Sequence, residues 1–318
     1  MRIVFWGSSD FSLPSLTALY GRHQISAIVT QPDHCIGRGN KEYHRTPMKL
    51  FALEKQIPCF QPETLKDGAL LTHLTELAPD LSVIVSYGKI IPDSLIYLPK
   101  YHTINLHASL LPKYRGASPI QYALLHGDTV TGNTVQFITK ELDKGDIIVN
   151  EQIPIEPGDD YLTLTDKLGH SGAGLLLRAL EQIESGNCPR IPQEHSEATY
   201  CKIIRREDGL VRFEDETAET VYGKSRAFHP WPGIFCDYVE PHSRKQIRVS
   251  FTKIAIDDKI LGQKGTVLKA DREGLVIGCK EKSIRVEAIK PAGKSEMSAS
   301  AFINGYKPVP GKVFSLAE

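Results

Sequence analysis

The sequence predicts an α/β protein: a doubly wound, mostly parallel sheet followed by a smaller antiparallel β-barrel or sandwich. Two observations predict it. In the first half, short apolar runs alternate with stretches of helical periodicity, the pattern of a parallel sheet covered by helices. Beyond Gly209 the texture becomes Val- and Ile-rich runs separated by charged or Gly-containing turns, as in small antiparallel folds. A length of 318 residues suits two domains, and a hydrophobic content of 41% supplies the core that both need.

Taken in order, the expected strands are Ile3–Trp6, Ile25–Thr30, Leu81–Ser86 and Thr103–His107. Between them Leu13–Tyr20, Pro47–Lys55 and Ala69–Leu77 place apolar residues at helical spacing. A strand at Ile147–Ile155 and a long helix over Tyr161–Glu184 close the first domain. The stretch Ser185–Gln193 carries Gly and two prolines, which interrupts regular structure and marks a linker. The expected strands of the second domain are Ile234–Val239, Ile247–Ile256, Gly265–Leu268, Gly274–Ile277 and Ser283–Ile289.

Composition narrows the class. Six dispersed cysteines without a C-x-x-C pair, and no histidine at ligand spacing, argue for reduced thiols and against structural zinc. The chain opens directly on a strand and holds no long apolar run, so no membrane association and a cytoplasmic location are expected. No heptad pattern calls for self-association, and a monomer is expected. A formal net charge of zero hides an asymmetry: residues 1–200 carry 17 basic against 22 acidic residues, and residues 201–318 carry 21 against 16. A basic second half suits a polyanionic partner, although an excess of this size is also common on ordinary surfaces.

The chemistry concentrates in Ile104–Gly116, INLHASLLPKYRG, and in Asp143 of ELDKGD. Asn105 and His107 lie two apart on a strand and therefore project to one face, at the strand end where open α/β sheets place ligands. A lone histidine is usually structural. An asparagine two residues earlier, a Pro- and Gly-shaped loop afterwards and Asp143 as a partner make the set a candidate active site for acyl transfer to an amine. The first strand–helix junction, Trp6-Gly7-Ser8-Ser9-Asp10-Phe11, lacks the G-x-G-x-x-G spacing and reads as a tight turn with a helix cap, not a dinucleotide site.

The segment NLHASLLPKYRGASPI, with LDKGD downstream, resembles the folate-dependent formyltransferases. That resemblance implies Asn105, His107 and Asp143 as the catalytic set, a cis Leu111–Pro112 peptide bond, and 10-formyltetrahydrofolate as co-substrate with no metal. It implies a Rossmann-like catalytic domain over residues 1–189, a linker over 190–208 and an OB-like tRNA-binding domain over 209–318. A folate site would be formed by Ser86, Tyr87, Gly88, Lys89 and Ile90, by Ser109, Leu110, Leu111 and Pro112, and by Gln136–Glu141 facing them. The plain alternative for 86–90 is a surface loop with one lysine.

Three more stretches resemble the methionyl-tRNA branch of the family: Gln31–Lys49 (QPDHCIGRGNKEYHRTPMK), Arg226–Phe235 (RAFHPWPGIF) and Pro291–Tyr306 (PAGKSEMSASAFINGY). They imply initiator methionyl-tRNA as acceptor and a bacterial cytoplasmic setting. Arg38 and Lys41 in the first stretch, and Arg205, Arg206 and Arg226 in the basic second half, are the expected tRNA contacts, with Lys224, Arg244, Lys245 and Arg248 as further cations. The 31–49 loop departs from the common G-R-G-K-K pattern, reading Gly37-Arg38-Gly39-Asn40-Lys41 with Glu42 after it. A sugar-nucleotide N-formyltransferase would share the catalytic residues but leaves the three outer stretches unexplained. A non-catalytic tRNA-binding module leaves the intact Asn, His and Asp unexplained.

Overall fold

The structure is a computed structural model that describes residues 1–36, 42–240, 245–272 and 274–314. Two compact units emerge. The first comprises residues 1–119, 130–155 and 164–202, and the second residues 120–129, 156–163 and 203–318.

In chain order the first unit contains β1 (Arg2–Gly7), α1 (Leu13–Tyr20), β2 (Gln24–Val29), β3 (His34–Ile36), β4 (Glu42–His44), α2 (Pro47–Lys55), β5 (Cys59–Phe60), α3 (Ala69–Leu77), β6 (Leu81–Val85), the single-turn α4 (Asp93–Ile96), β7 (Thr103–His107) and β8 (Arg115–Gly116). After α5 (Pro119–Leu125), nearly all of which belongs to the second unit, come β9 (Val130–Phe137), β10 (Ile147–Pro154), α6 (Tyr161–Glu184), whose first turn is also of the second unit, and β11 (Tyr200–Cys201). The main sheet runs β10-β9-β7-β6-β1-β2-β5. From β7 to β5 every pairing is parallel, while β9 and β10 add to the β7 edge antiparallel.

The parallel strands read as continuous apolar runs because both their faces are covered. In β1, Ile3 and Phe5 join one core with Leu16, Leu19, Ile28 and Leu176, while Val4 and Trp6 join another with Ala27, Leu70, Leu74 and Ile84. The same alternation carries through β7, where Ile104 and Leu106 enter the first core. Asn105 and His107 must then face the other side. The chain leaves β1 toward β2 and β5 and returns to β6 and β7, so the strand order reverses between β1 and β6. That reversal opens a crevice at the strand ends. Its rim is tied together by Ser8, whose N–H donates to Ser86 O (3.1 Å), and Ser9, whose hydroxyl donates to Ser86 Oγ (2.9 Å).

The second unit carries α7 (Ala218–Ala227), β12 (Ile234–Val239), β13 (Gln246–Asp257), β14 (Val267–Asp271), β15 (Gly274–Gly278), β16 (Ser283–Pro291), β17 (Met297–Ser298) and α8 (Ala299–Tyr306). These strands form one wholly antiparallel sheet, β12-β13-β16-β15-β14, with β17 on β16. Its core is aromatic: Phe314 lies within 4.9–6.3 Å, centroid to centroid, of Phe213, Tyr238, Phe251 and Phe302. The expected α/β architecture with a separate antiparallel domain is what the structure has. Among the described residues no helix is long and apolar enough to cross a membrane.

Candidate active site

Each functional side chain sits where backbone geometry puts it. On β7, Asn105 lies opposite Gln136 of β9, and His107 opposite Thr134. Val135 and Phe137 of β9 go into the core, so Thr134 and Gln136 share the face of Asn105 and His107. Asp143 arrives from the turn after β9. That turn folds tightly back on the strand: a Cβ at Gly145 would lie 1.8 Å from Phe137 O, so only glycine fits.

His107 is almost wholly buried, and its Nε2 lies 2.8 Å from Tyr114 O. A carbonyl can only accept, so Nε2 carries a hydrogen and Nδ1 is the nitrogen left for chemistry. Nδ1 faces Asp143 Oδ2 at 3.8 Å. The carboxylate is itself held from two sides: Oδ2 accepts from Gly116 N–H (2.9 Å) and Oδ1 from Gln136 Nε2 (3.1 Å). By contrast, the Asn105 side chain makes no hydrogen bond among the described residues, although it is only 9% exposed. A nearly buried amide with free donors and acceptor suits a ligand oxygen. Three non-glycine residues around this point have left-handed backbone: Ser86 (φ 50°), Tyr114 (φ 56°) and Asp143 (φ 51°). Such conformations persist where surrounding contacts impose them, and they cluster at functional sites.

The remaining expected residues divide by what they touch. The Ser109 hydroxyl donates to Lys113 O (2.6 Å), and Thr134 Oγ1 donates to Ser109 O (2.7 Å) while accepting from Leu111 N–H (3.1 Å). Ser109 and Leu111 thus shape the turn before the cis Leu111–Pro112 bond, and Leu110 packs over Gly132. In the 86–90 loop the Tyr87 ring is buried edge-on to Trp6, and burial pushes its phenol up to about 12. The Lys89 ammonium donates to Pro62 O (2.8 Å) and Glu63 O (3.0 Å), pinning the neighbouring segment. Gly88 has φ 84°, and Ile90 is 90% exposed. An open cavity of about 850 Å³ along the same sheet edge is lined by Ser8, Ser9, His44, Arg45, Thr46 and Glu54 among others, and by none of the catalytic candidates.

Arg38 and Lys41 lie outside the described residues, as does Arg244. The stem of their loop is anchored by a Lys49–Asp33 ion pair (2.5 Å), by Thr30 donating to Thr46 Oγ1 (2.8 Å) and by β3–β4 pairing. Arg205 and Arg206 are exposed, and Arg205 Nη1 is 3.8 Å from Glu207. Arg226 is half-buried, with its guanidinium donating to Asp159 O (2.5 Å) and Glu156 O (3.0 Å). Lys224 pairs with Glu216, and Arg248 with Asp237.

Residues 190–202, which the sequence offers as a linker, pack within the first unit. Ile191 bridges Ile147, and β11 pairs in parallel with β8, carrying Gln193, Thr199 and Cys201 against the catalytic loop. Thr199 Oγ1 accepts from Tyr114 N–H (2.9 Å), and Cys201 Sγ lies 3.4 Å from the Tyr114 and Arg115 carbonyls. Burial pushes the Cys201 thiol up to about 11.

Residues 1–180 match the model of the Formyl transferase family, and residues 203–307 match that of the Formyl transferase, C-terminal domain. The chain is 38% identical over 317 residues to the methionyl-tRNA formyltransferase of a Sulfurihydrogenibium species, covering 99% of this chain and 100% of that one. It is 40% identical over 317 residues to the protein of the same name from a Nitratiruptor species, again covering 99% and 100%. The chain belongs to the methionyl-tRNA formyltransferase family. The fold of that family extends further: the structure of an N-formyltransferase from Helicobacter canadensis, in complex with folinic acid and dTDP-3-aminofucose, superposes with a TM-score of 0.64. It has 17% identity and covers 90% of this chain and 98% of that one.

Proposed function

We propose that this member of the methionyl-tRNA formyltransferase family transfers the formyl group of 10-formyltetrahydrofolate to the α-amine of methionyl-initiator tRNA, giving N-formylmethionyl-tRNA for translation initiation. The observation that carries this reading is the end-to-end similarity at 38–40% identity to relatives of that name. The geometry at the end of β7 supplies a mechanism.

The neutral amine attacks the formyl carbon, forming a C–N bond and a tetrahedral oxyanion. Asn105, whose amide has no partner among the described residues, donates to that oxygen. A single oxyanion donor of this kind is worth about 3 kcal/mol where it has been removed by mutation. Collapse breaks the bond to N10 of the folate, which takes up a proton as the amine gives one away. His107 is the group that moves a proton, and it does so at Nδ1, because Nε2 is committed to Tyr114 O. The Asp143 carboxylate, 3.8 Å from Nδ1, faces the nitrogen that carries the moving proton.

The folate would lie against the 86–90 loop and the 109–112 turn, read chiefly by backbone groups, since Tyr87 and Lys89 are turned to the protein. For tRNA, the exposed Arg205 and Arg206 would contact phosphate, while Arg226 holds the 156–159 segment in place. Arg38 and Lys41 would enter the acceptor end from the anchored loop.

The test is to incubate the protein with 10-formyltetrahydrofolate and a mixture of charged tRNAs, and to identify which aminoacyl ester gains a formyl group. Formylation of methionyl-tRNA is expected. A modified sugar amine with methionyl-tRNA left untouched would replace this reading with a sugar-nucleotide one.

A further inference from the structure

Arg115 is the most unusual charge in the first unit. It is 1% exposed, and among the described residues no carboxylate pairs with it. A guanidinium so deeply buried is costly unless its hydrogens are accepted. Here neutral groups accept them: Gln193 Oε1 takes Nε (3.1 Å) and Nη2 (2.6 Å), His195 Nδ1 takes Nη2 (2.9 Å), and Tyr200 Oη is 3.5 Å from Nη1.

The fork fixes which way Gln193 points. A guanidinium can only donate, so the amide oxygen must face it and the amide nitrogen must face away. That nitrogen brings two hydrogens to three acceptors, Gln136 Oε1 (3.1 Å), Asp143 O (2.9 Å) and Gly145 O (2.8 Å), so one hydrogen is shared. Gln136 is fixed in turn: its oxygen accepts from Gln193, and its nitrogen donates to Asp143 Oδ1. The result is a one-directional chain of donors from a buried cation, through two amides, to the carboxylate that faces His107. Every link is 3.1 Å or shorter, and Gln136 and Gln193 are themselves 0% and 7% exposed. Gln193 also grips the main chain of Asp143, the residue that must be held at φ 51°.

We infer that Gln193, oriented by Arg115, is a positioning residue for formyl transfer: it holds the Asp143 backbone directly and its carboxylate through Gln136, setting the anion opposite His107 Nδ1. The residue comes from the C-terminal segment of the first unit, so that segment completes the site. This assignment rests on the proposed catalytic role of Asp143.

Gln193→Glu separates the two ends of the amide. The glutamate can still accept from Arg115, but it has no hydrogens for the three acceptors beyond. Loss of such supporting bonds typically costs about 10- to 100-fold. The expected outcome is a fall in kcat of roughly that size, with KM for both substrates within about twofold. In an Asp143→Asn background the same substitution should cost less than about threefold, because residues acting as one unit are not additive. Fold losses that multiply, or an unchanged kcat, would overturn the assignment. Should Gln193→Glu fail to fold, Arg115→Lys, which keeps the cation but lacks the fork, takes its place in the same cycle. A crystal structure of the variant supplies a readout independent of turnover: Asp143 should leave its 2.9 Å bond to Gly116 N–H. Retention of that bond also overturns the inference. Wild-type protein that formylates no methionyl-tRNA refutes the proposed function instead, and the crystal structure still decides the relay.

Discussion

Replacing Gly116 by alanine adds one methyl group, and the structure assigns it a large cost. Gly116 follows Arg115 in β8 at φ 123°, where L side chains are strained. A Cβ built there would lie 2.2 Å from Cys201 O, a backbone atom held by the β8–β11 pairing. Strain at such a dihedral costs about 1–3 kcal/mol. Overpacking against backbone adds about 1–3 kcal/mol more. A total of about 2–6 kcal/mol lowers the melting temperature by roughly 5–20 °C at this domain size. Gly116 N–H also holds Asp143 Oδ2, so relief of the clash by moving β8 withdraws a bond from the carboxylate. A displacement near 1 Å can cost about 100-fold in rate. The control is Gly174→Ala at an exposed position of α6, where a Cβ meets nothing within 4 Å. There the same methyl should stabilise by about 0.5–1 kcal/mol, with turnover unchanged. Thermal unfolding followed by circular dichroism, alongside formyl-transfer rates, reads both variants. If Gly116→Ala melts and turns over like wild type, or if Gly174→Ala loses as much, the close approach of β8 and β11 is not what holds the site.

Asn105→Ala should lower kcat by about 100- to 1,000-fold while moving the melting temperature little, because its side chain makes no hydrogen bond among the described residues. A melting temperature that falls in step with activity would instead make Asn105 structural. At the stem of the 31–49 loop, hydrogen bonds from Lys49 and then Gln61 hold the Asp33 carboxyl below its ordinary value. The folded state therefore binds this proton less readily than the unfolded chain does. The stabilisation is present above the unfolded value of about 3.9 and is lost as pH falls through the lower folded one. Hydrogen exchange of the β3–β4 amides, taken relative to each amide's intrinsic rate at that pH, should accelerate roughly fivefold below about pH 4. Asp33→Asn should show the same acceleration already at neutral pH, and unchanged exchange in that variant would remove the ion pair from the anchor.

The parts of this protein legible in its sequence are those whose physics is local. Strands β1, β6 and β7 are buried on both faces and stand out as largely apolar runs. Asn105 and His107 stand out because they interrupt such a run at the spacing of one face. Strand β9, the neighbour of β7, is legible only through its Val and Thr content. Its Thr131, Asn133, Thr134 and Gln136 are all buried to within 3%, so hydropathy gives it away nowhere. Other segments supply partners for these polar groups: Asn133 donates to Leu168 O across 35 residues, and Gln136 meets Gln193 across 57. Arg115 lies inside the motif that names the family, yet nothing within that motif distinguishes a buried cation from a surface one. Its acceptor comes 78 residues later, in a stretch whose Gly and Pro content reads as a spacer. Lys89 makes the same point in reverse, a loop cation whose donors are already given to Pro62 and Glu63. Local pattern reports which side chains can do chemistry. What aims them is a set of polar contacts made far along the chain, each buried only because its partner is there. The aiming residues are therefore found by following hydrogen bonds outward from the carboxylate, and Gln193 is where that path crosses from the catalytic loop into the last segment of the first unit.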